Sequence, residues 1–358
     1  MADAAITVAA PAARSTGRQT ATWIGIGAGA LVLAVLAGMV VGPAGPAWWR
    51  IPLELLDRLP WITIDSGVSD RDWSIVWKVR MPRVVLGALV GGMLSLAGAS
   101  YQGVFRNPLV DPYLLGAAAG AGLGATLAVT TLRAAIEDWA VSPVPVLAFV
   151  GAVVTVFVTY VVGAGFGGQR TGVTLVLAGV AVSALATAIQ TFVMQRNVDV
   201  VREVYSWILG RLSTADWDDV RLVTPYVALS SIVLLAHRRH LDLFRVGEDE
   251  AATLGAPVAR VRVVVVIAAT LGTAAVVAVS GLIGFVGIVV PHFVRLAVGA
   301  SYRRVLPLSL LVGGAFLVLA DIPGRVLTDP AEVPIGVVTA FLGAPFFILI
   351  LRVRAANR

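Results

Sequence analysis

The chain has 358 residues, of which 58% are hydrophobic and only 13% charged, and its mean hydropathy is +0.89. Soluble domains carry about 25% charged and 45–50% apolar residues, so this composition excludes a cytosolic enzyme, a disordered tail and a nucleic-acid-binding module. What remains is an all-α integral membrane protein that uses lipid as its solvent.

The formal charge of +6 falls in loops between long charge-free stretches and is no nucleic-acid signature. The chain has no cysteine, which excludes disulfides, thiolate metal sites and thiol catalysis. Its one lysine is Lys78, set in Trp77-Lys78-Val79, so no Walker A phosphate loop is present. The chain is therefore expected to be no enzyme and to bind no cofactor or metal. Any ATP and Mg belong to a partner ATPase.

In chain order, residues 1–20, rich in Ala, Thr and Ser, are expected to form a disordered cytoplasmic tail, followed by a single transmembrane domain over 21–355. The charge-free stretches are 22–49, 84–105, 112–132, 139–169, 171–195, 222–237, 263–294, 305–320 and 333–351. A bilayer core about 30 Å thick takes roughly 20 helical residues. Stretch 263–294 is too long for one crossing, and Gly281, Gly284, Gly287 and Pro291 suit a reversal near its middle. Dividing it gives about ten transmembrane helices. The first apolar run is long for a signal peptide, and the Pro-Ala-Gly-Pro after it is a poor cleavage site.

An even count puts both termini on one side. With the termini inside, inner segments hold 15 Lys and Arg against 12 outside, and 6 Asp and Glu against 15. Both ends are therefore expected in the cytoplasm. Trp48, Trp49, Trp61, Trp73 and Trp77 in segment 44–80 suit interfacial anchoring. Segment 196–219 is expected outside, with a short helix. Gly87, Gly91 and Gly92, and Gly116, Gly120 and Gly124, form small-residue faces that let helices approach closely in lipid.

The middles of the spans carry no ionisable side chain. Ion-coupled transporters place such groups within the membrane to bind the coupling ion, so an ion-coupled secondary transporter of a lipophilic or chelated solute is the weaker alternative. A polytopic membrane enzyme would need an acidic or histidine cluster at the membrane face. Arg238 and Arg239 separate His237 from His240 and would repel a metal. His292 reads as a hydrogen-bonded helix residue.

Three segments carry a resemblance. The first runs from Arg80-Met81-Pro82-Arg83 to Gly98-Ala99-Ser100-Tyr101-Gln102 and on through Asn107-Pro108-Leu109-Val110-Asp111-Pro112. The second is Gly247-Glu248-Asp249-Glu250-Ala251-Ala252-Thr253-Leu254-Gly255, leading to Arg260-Val261-Arg262. The third runs from Gly284-Phe285-Val286-Gly287 through Val290-Pro291-His292-Phe293-Val294-Arg295, Leu319-Ala320-Asp321, Arg325 and Glu332-Val333-Pro334-Ile335-Gly336 to Gly343-Ala344-Pro345-Phe346-Phe347. Over about residues 70–352 the chain resembles the FecCD family, the permease subunits of ABC importers for iron–siderophores, haem and cobalamin.

The resemblance implies a prokaryotic cytoplasmic-membrane protein that dimerises, with an identical second copy expected. It works with two ABC ATPase subunits and one extracytoplasmic substrate-binding protein. Iron–siderophore is the first expectation for the cargo, with haem and cobalamin as alternatives. Loop 237–262 would be cytoplasmic, with Glu248, Asp249, Glu250, Ala251, Ala252, Leu254 and Gly255 as the coupling helix in a groove of the ATPase. Arg80, Arg83 and Arg325 would dock the binding protein's carboxylates; the competing expectations are snorkelling and, for Arg325, an i, i+4 pair with Asp321. Thr171, Gly172 and Thr174 would belong to a cytoplasmic gate. Pro108 is expected to reverse the chain, with Asn107 and Gln102 satisfying freed backbone groups.

Overall fold

The computed structural model describes residues 14–42, 49–58, 61, 64–132, 142–165, 172–327 and 331–356, and among these all regular structure is helical. The helices are α1 (Arg14–Val40), α2 (Arg50–Asp57), α3 (Asp70–Ile75), α4 (Met81–Val104), α5 (Ala117–Thr131), α6 (Pro143–Gly165), α7 (Gly172–Arg196) and α8 (Val201–Ile208). They continue as α9 (Trp217–Ala236), α10 (Arg238–Phe244), α11 (Glu248–Thr253), α12 (Val258–Ser280), α13 (Val286–Val298), α14 (Tyr302–Val326) and α15 (Ile335–Ala356). A π-helical turn, Val76–Arg80, joins α3 to α4.

Among the described residues seven helices are long and apolar enough to cross a membrane, and α5, α13 and the Ile335–Leu349 part of α15 are shorter apolar helices. Together they occupy the ten positions expected from the charge-free stretches. The short helix expected in 196–219 is α8. Three boundaries differ. Helix α1 begins at Arg14, so residues 14–20, expected in the tail, are helical. Helix α12 begins at Val258, which shortens the polar loop. Helix α14 runs six residues past the charge-free stretch and carries Asp321 and Arg325 with it. The spans are therefore free of charge in their middles but not at their ends.

Helices α4 and α12 are buried along most of their length, whereas α1 and α7 present most of theirs outward. Helix α4 packs on both α14 and α13. A Cβ on Gly91 would lie 2.3 Å from the Gly313 carbonyl oxygen, and one on Gly98 would lie 2.1 Å from that of Gly287. Between α5 and α6 the same holds for Gly120 against Gly151 (2.3 Å) and Gly124 against Leu147 (2.0 Å). Backbones come into contact here because the glycines carry no Cβ, and dispersion at this range replaces the hydrophobic drive that lipid removes.

The reversal expected within 263–294 is the irregular stretch 281–285 between α12 and α13. Gly281 and Phe285 both have φ +70. Backbone groups freed in lipid need partners from the protein. The Tyr113 hydroxyl donates to the Ile283 carbonyl and accepts from the Ile283 N–H, each at 3.1 Å. The Arg211 N–H donates to the Ser280 carbonyl at 2.7 Å. Gln102 Nε2 donates to the carbonyls of Gly287 (2.9 Å) and Val110 (3.2 Å), the backbone role expected for it. Asn107 Oδ1 accepts from the Leu109 N–H at 3.0 Å within the Pro108 turn. Asp111 accepts from the Tyr113 N–H at 2.9 Å. Burial pushes the Asp111 carboxyl up to about 6, against the opposing pull of that hydrogen bond.

Gly98→Val should abolish the α4–α13 contact and the yield of monodisperse protein in detergent. Gly25→Ala, whose new Cβ meets nothing within 4 Å, should behave as the parent. Size-exclusion profiles of the two variants give the check; a normal Gly98→Val peak would refute close backbone packing.

Candidate functional site

Two polar assemblies stand out from the apolar bundle. The first is the connector between α9 and α12, made of α10, α11 and their turns. Leu241, Phe244 and Ala251 are fully buried and hold it to the bundle. Glu248, Asp249 and Glu250 fill the first turn of α11, where carboxylates suit the positive end of a helix. Glu248 also pairs with Arg262 of α12.

Helix α11 ends in a Schellman motif. The Gly255 N–H donates to the Ala252 carbonyl at 2.9 Å and the Ala256 N–H to the Ala251 carbonyl at 3.0 Å. Gly255 holds φ +83, which a side chain would strain. Ala251 and Ala256 are both buried beneath the motif. The outward face presents Asp249, Glu250, Ala252, Thr253, Leu254 and Gly255, with Leu254 at 63% exposure. The seven residues expected to form the coupling helix thus make one short, stiff element, with Ala251 inward and most of the rest outward.

The second assembly lies at the far end of α14. The Arg83 Nε and Nη2 donate to the two Asp321 carboxylate oxygens at 2.8 and 2.9 Å, a bidentate pair. Arg83 Nη1 reaches Glu332 at 2.8 Å. Arg325 Nε lies 3.2 Å from Asp321, the i, i+4 pairing anticipated for it. Two further donors cap α1: Arg325 Nη1 donates to the Gly38 carbonyl at 3.0 Å, and Arg80 Nη1 to that of Met39 at 2.9 Å. Cations at a helix C-terminus satisfy its last carbonyls and oppose its dipole.

Arg80, Arg83 and Arg325 are therefore brought together, but they turn inward: they are 6%, 7% and 4% exposed. The assembly opens outward through Glu332 and a crevice of about 170 Å³ lined by Arg83, Ser206, Arg211, Thr214, Asp321 and Glu332. The pairing of Arg83 with Asp321 and Glu332 was missed in the sequence. The available signal was a lone carboxylate, Asp321, in an apolar helix, which demands a cationic partner.

Of the proposed gate residues, Thr171 lies outside the described residues, Gly172 opens α7 and Thr174 is half-buried. No group of His, Asp or Glu suited to a metal occurs among the described residues. His237 Nδ1 lies 2.8 Å from the Val233 carbonyl oxygen, and His292 packs edge-on to Phe346. Of the tryptophans, Trp73, Trp77 and Trp217 form a ladder with centroids 5.9 and 5.2 Å apart, and Trp217 Nε1 donates to the Trp77 carbonyl.

Removing one member of a buried ion pair strands the other and costs about 3–5 kcal/mol. Arg83→Ala, which leaves Glu332 unpaired and Asp321 with Arg325 alone, should lower thermal stability in detergent toward that range. Melting curves that place the variant level with the parent would contradict the cluster as described.

Comparison with known proteins agrees with this architecture. Residues 30–353 match the family model of the FecCD transport family. The cobalamin import system permease protein BtuC of Halobacterium salinarum is 39% identical over 89% of this chain and 82% of its own length. The hemin transport system permease protein HmuU of Yersinia pestis is 35% identical over 84% and 90%. The ferric enterobactin transport system permease protein FepD of Escherichia coli is 38% identical over 78% and 83%. A solved structure described as an inward-facing, metal-chelate type ABC transporter superposes with a TM-score of 0.78 at 26% identity, covering 93% of this chain and 99% of its own. With ten apolar helices in the expected order and nearly the whole chain matched, this multi-pass membrane protein belongs to the FecCD transport family.

Proposed function

We propose that the chain is the membrane-spanning permease of an ATP-binding cassette importer that passes a metal chelate and takes its energy from a separate ATPase. The observation that carries this reading is α11. It is a stiff helix on a connector anchored in the bundle, and it offers an acidic and apolar face to a partner. A helix in a groove converts partner motion into displacement of the helices on either side, here α9 and α12. The absent Walker A lysine and the uncharged span middles support the same division of labour.

In this proposal two ATPase subunits engage α11 from the cytoplasm, where both termini also lie. A second, identical copy completes the passage, and one binding protein delivers cargo on the opposite side. The binding protein docks over the Arg80, Arg83 and Arg325 assembly, where its carboxylates compete with Asp321 and Glu332 for Arg83. Thr171, Gly172 and Thr174 belong to the cytoplasmic gate, Gly172 and Thr174 from the first turn of α7. The relatives named above carry a corrinoid, a porphyrin and a siderophore, so the cargo class is a large metal chelate. Discrimination among these belongs to the binding protein, because a passage that bound its cargo tightly would release it slowly.

The experiment is reconstitution with a candidate ATPase and binding protein, with iron–siderophores, haem and cobalamin assayed under ATP or under a pH or sodium gradient. Uptake should require ATP; gradient-driven uptake without nucleotide would establish a secondary transporter instead. Gly255→Pro removes the N–H of the Schellman motif and cannot reach φ +83. It, or Leu254→Asp in the exposed face, should abolish uptake while the variant still inserts. Normal transport by both would remove α11 from the mechanism.

A further inference from the structure

Asp242 belongs to the connector, yet both oxygens of its carboxylate serve another helix. Oδ1 accepts from the Tyr302 N–H at 2.7 Å, and Oδ2 accepts from the Ser301 hydroxyl at 2.8 Å. Arg303 Nε and Arg245 Nη1 stand further off, at 3.7 and 3.8 Å. Ser301 is the N-cap residue of α14, but its own side chain caps nothing. Asp242, 60 residues earlier in the chain, supplies the missing cap from outside. A carboxylate there satisfies an orphan N–H and sits at the positive end of the helix dipole.

The contact extends inward from Tyr302. A Cβ on Gly103 of α4 would lie 3.1 Å from the Tyr302 ring. The Arg295 guanidinium of α13 lies 5.8 Å from the ring centroid and donates to Gln102 Oε1 at 2.6 Å. The connector is thus joined to the first turn of α14 and, through it, to the ends of α4 and α13. Helix α14 then runs 25 residues, about 37 Å at 1.5 Å per residue. At its other end stand Asp321 and Arg325, which gather Arg83 and the last carbonyls of α1.

We propose that Asp242 is a positioning residue for transport. It fastens the connector to α14, so that displacement of α11 reaches the arginine assembly along that helix. Without it the same displacement is taken up in the turns at 237 and 245–247. The proposal rests on the permease reading above.

The test uses the full chain in nanodiscs with its ATPase and binding protein, comparing Asp242→Ala, Asp242→Asn and Ser301→Ala. Two quantities are read: ATP hydrolysed and chelate taken up. Asp242→Ala should cut uptake per ATP roughly tenfold, within the usual range for coupling between sites, while hydrolysis continues. Asp242→Asn should restore most of the coupling, because its Oδ1 can still accept from the Tyr302 N–H and its amide can donate to Ser301. Ser301→Ala should fall between. Unchanged coupling in Asp242→Ala overturns the proposal. A parallel fall of hydrolysis and uptake in both Asp242 variants also overturns it, since that is the mark of a merely structural residue. Hydrogen exchange on the permease alone gives a second readout. In Asp242→Ala, exchange should rise together in residues 238–253 and in the first turn of α14; a rise confined to one of them overturns the tether. A parent protein that takes up no chelate with ATP would sink the permease reading, and the exchange result would still decide the tether.

Discussion

Lipid offers no hydrogen bonds, and this constraint orders the whole structure. Each break in a helix and each charge carried into the bundle must find its partner inside the chain. The break at 281–285 depends on Tyr113 and, at the last carbonyl of α12, on the Arg211 backbone, and the Gly287 carbonyl just beyond it, left without a helical donor by Pro291, depends on Gln102. The C-terminal carbonyls of α1 depend on Arg80 and Arg325 in the same way. The polar side chains that look most like functional candidates therefore have structural obligations first. Any partner that engages them works against bonds already made.

Glycine contacts serve the same constraint from the apolar side. Water drives no association between helices in lipid, so contact must come from approach distance. The Gly91–Gly313 and Gly98–Gly287 crossings bring α4 into backbone contact with α14 and α13. That places Arg83 of α4 within reach of Asp321 of α14 at one end, and Gln102 within reach of Arg295 of α13 at the other. Close packing of small residues is what brings the charged residues into register.

Much of this was legible in the sequence because it is local. Charge-free runs fix where helices can cross, and the glycines and proline of 281–291 forecast the reversal. The pattern Gly247 to Gly255 bounds a short helix whose acidic first turn and glycine stop are both sequence signals. The long-range pairs were not legible. Arg83 and Asp321 stand 238 residues apart, and each has a sound local account: an arginine at the headgroups, and a partner for Arg325 four residues away. An arginine turned toward water and one turned toward a buried carboxylate read alike until the helices are packed. Asp242 was passed over for a similar reason. In a loop dense with arginines it reads as one more solvated charge, and only the fold brings it to the start of α14.

These pairs explain how one helix can serve both faces of the bundle. Helix α14 is gripped at its first turn by a carboxylate from the connector, and its last turns supply the anion around which two arginines gather. Its middle is held by backbone contact with α4, and its Pro307 and Pro323 lie near the ends, outside the Gly313 crossing. Under the tether proposed above, α14 carries displacement between these points. In that proposal the apolar middle of α14 has a mechanical role. It separates two polar grips by the thickness of the membrane and keeps their separation fixed.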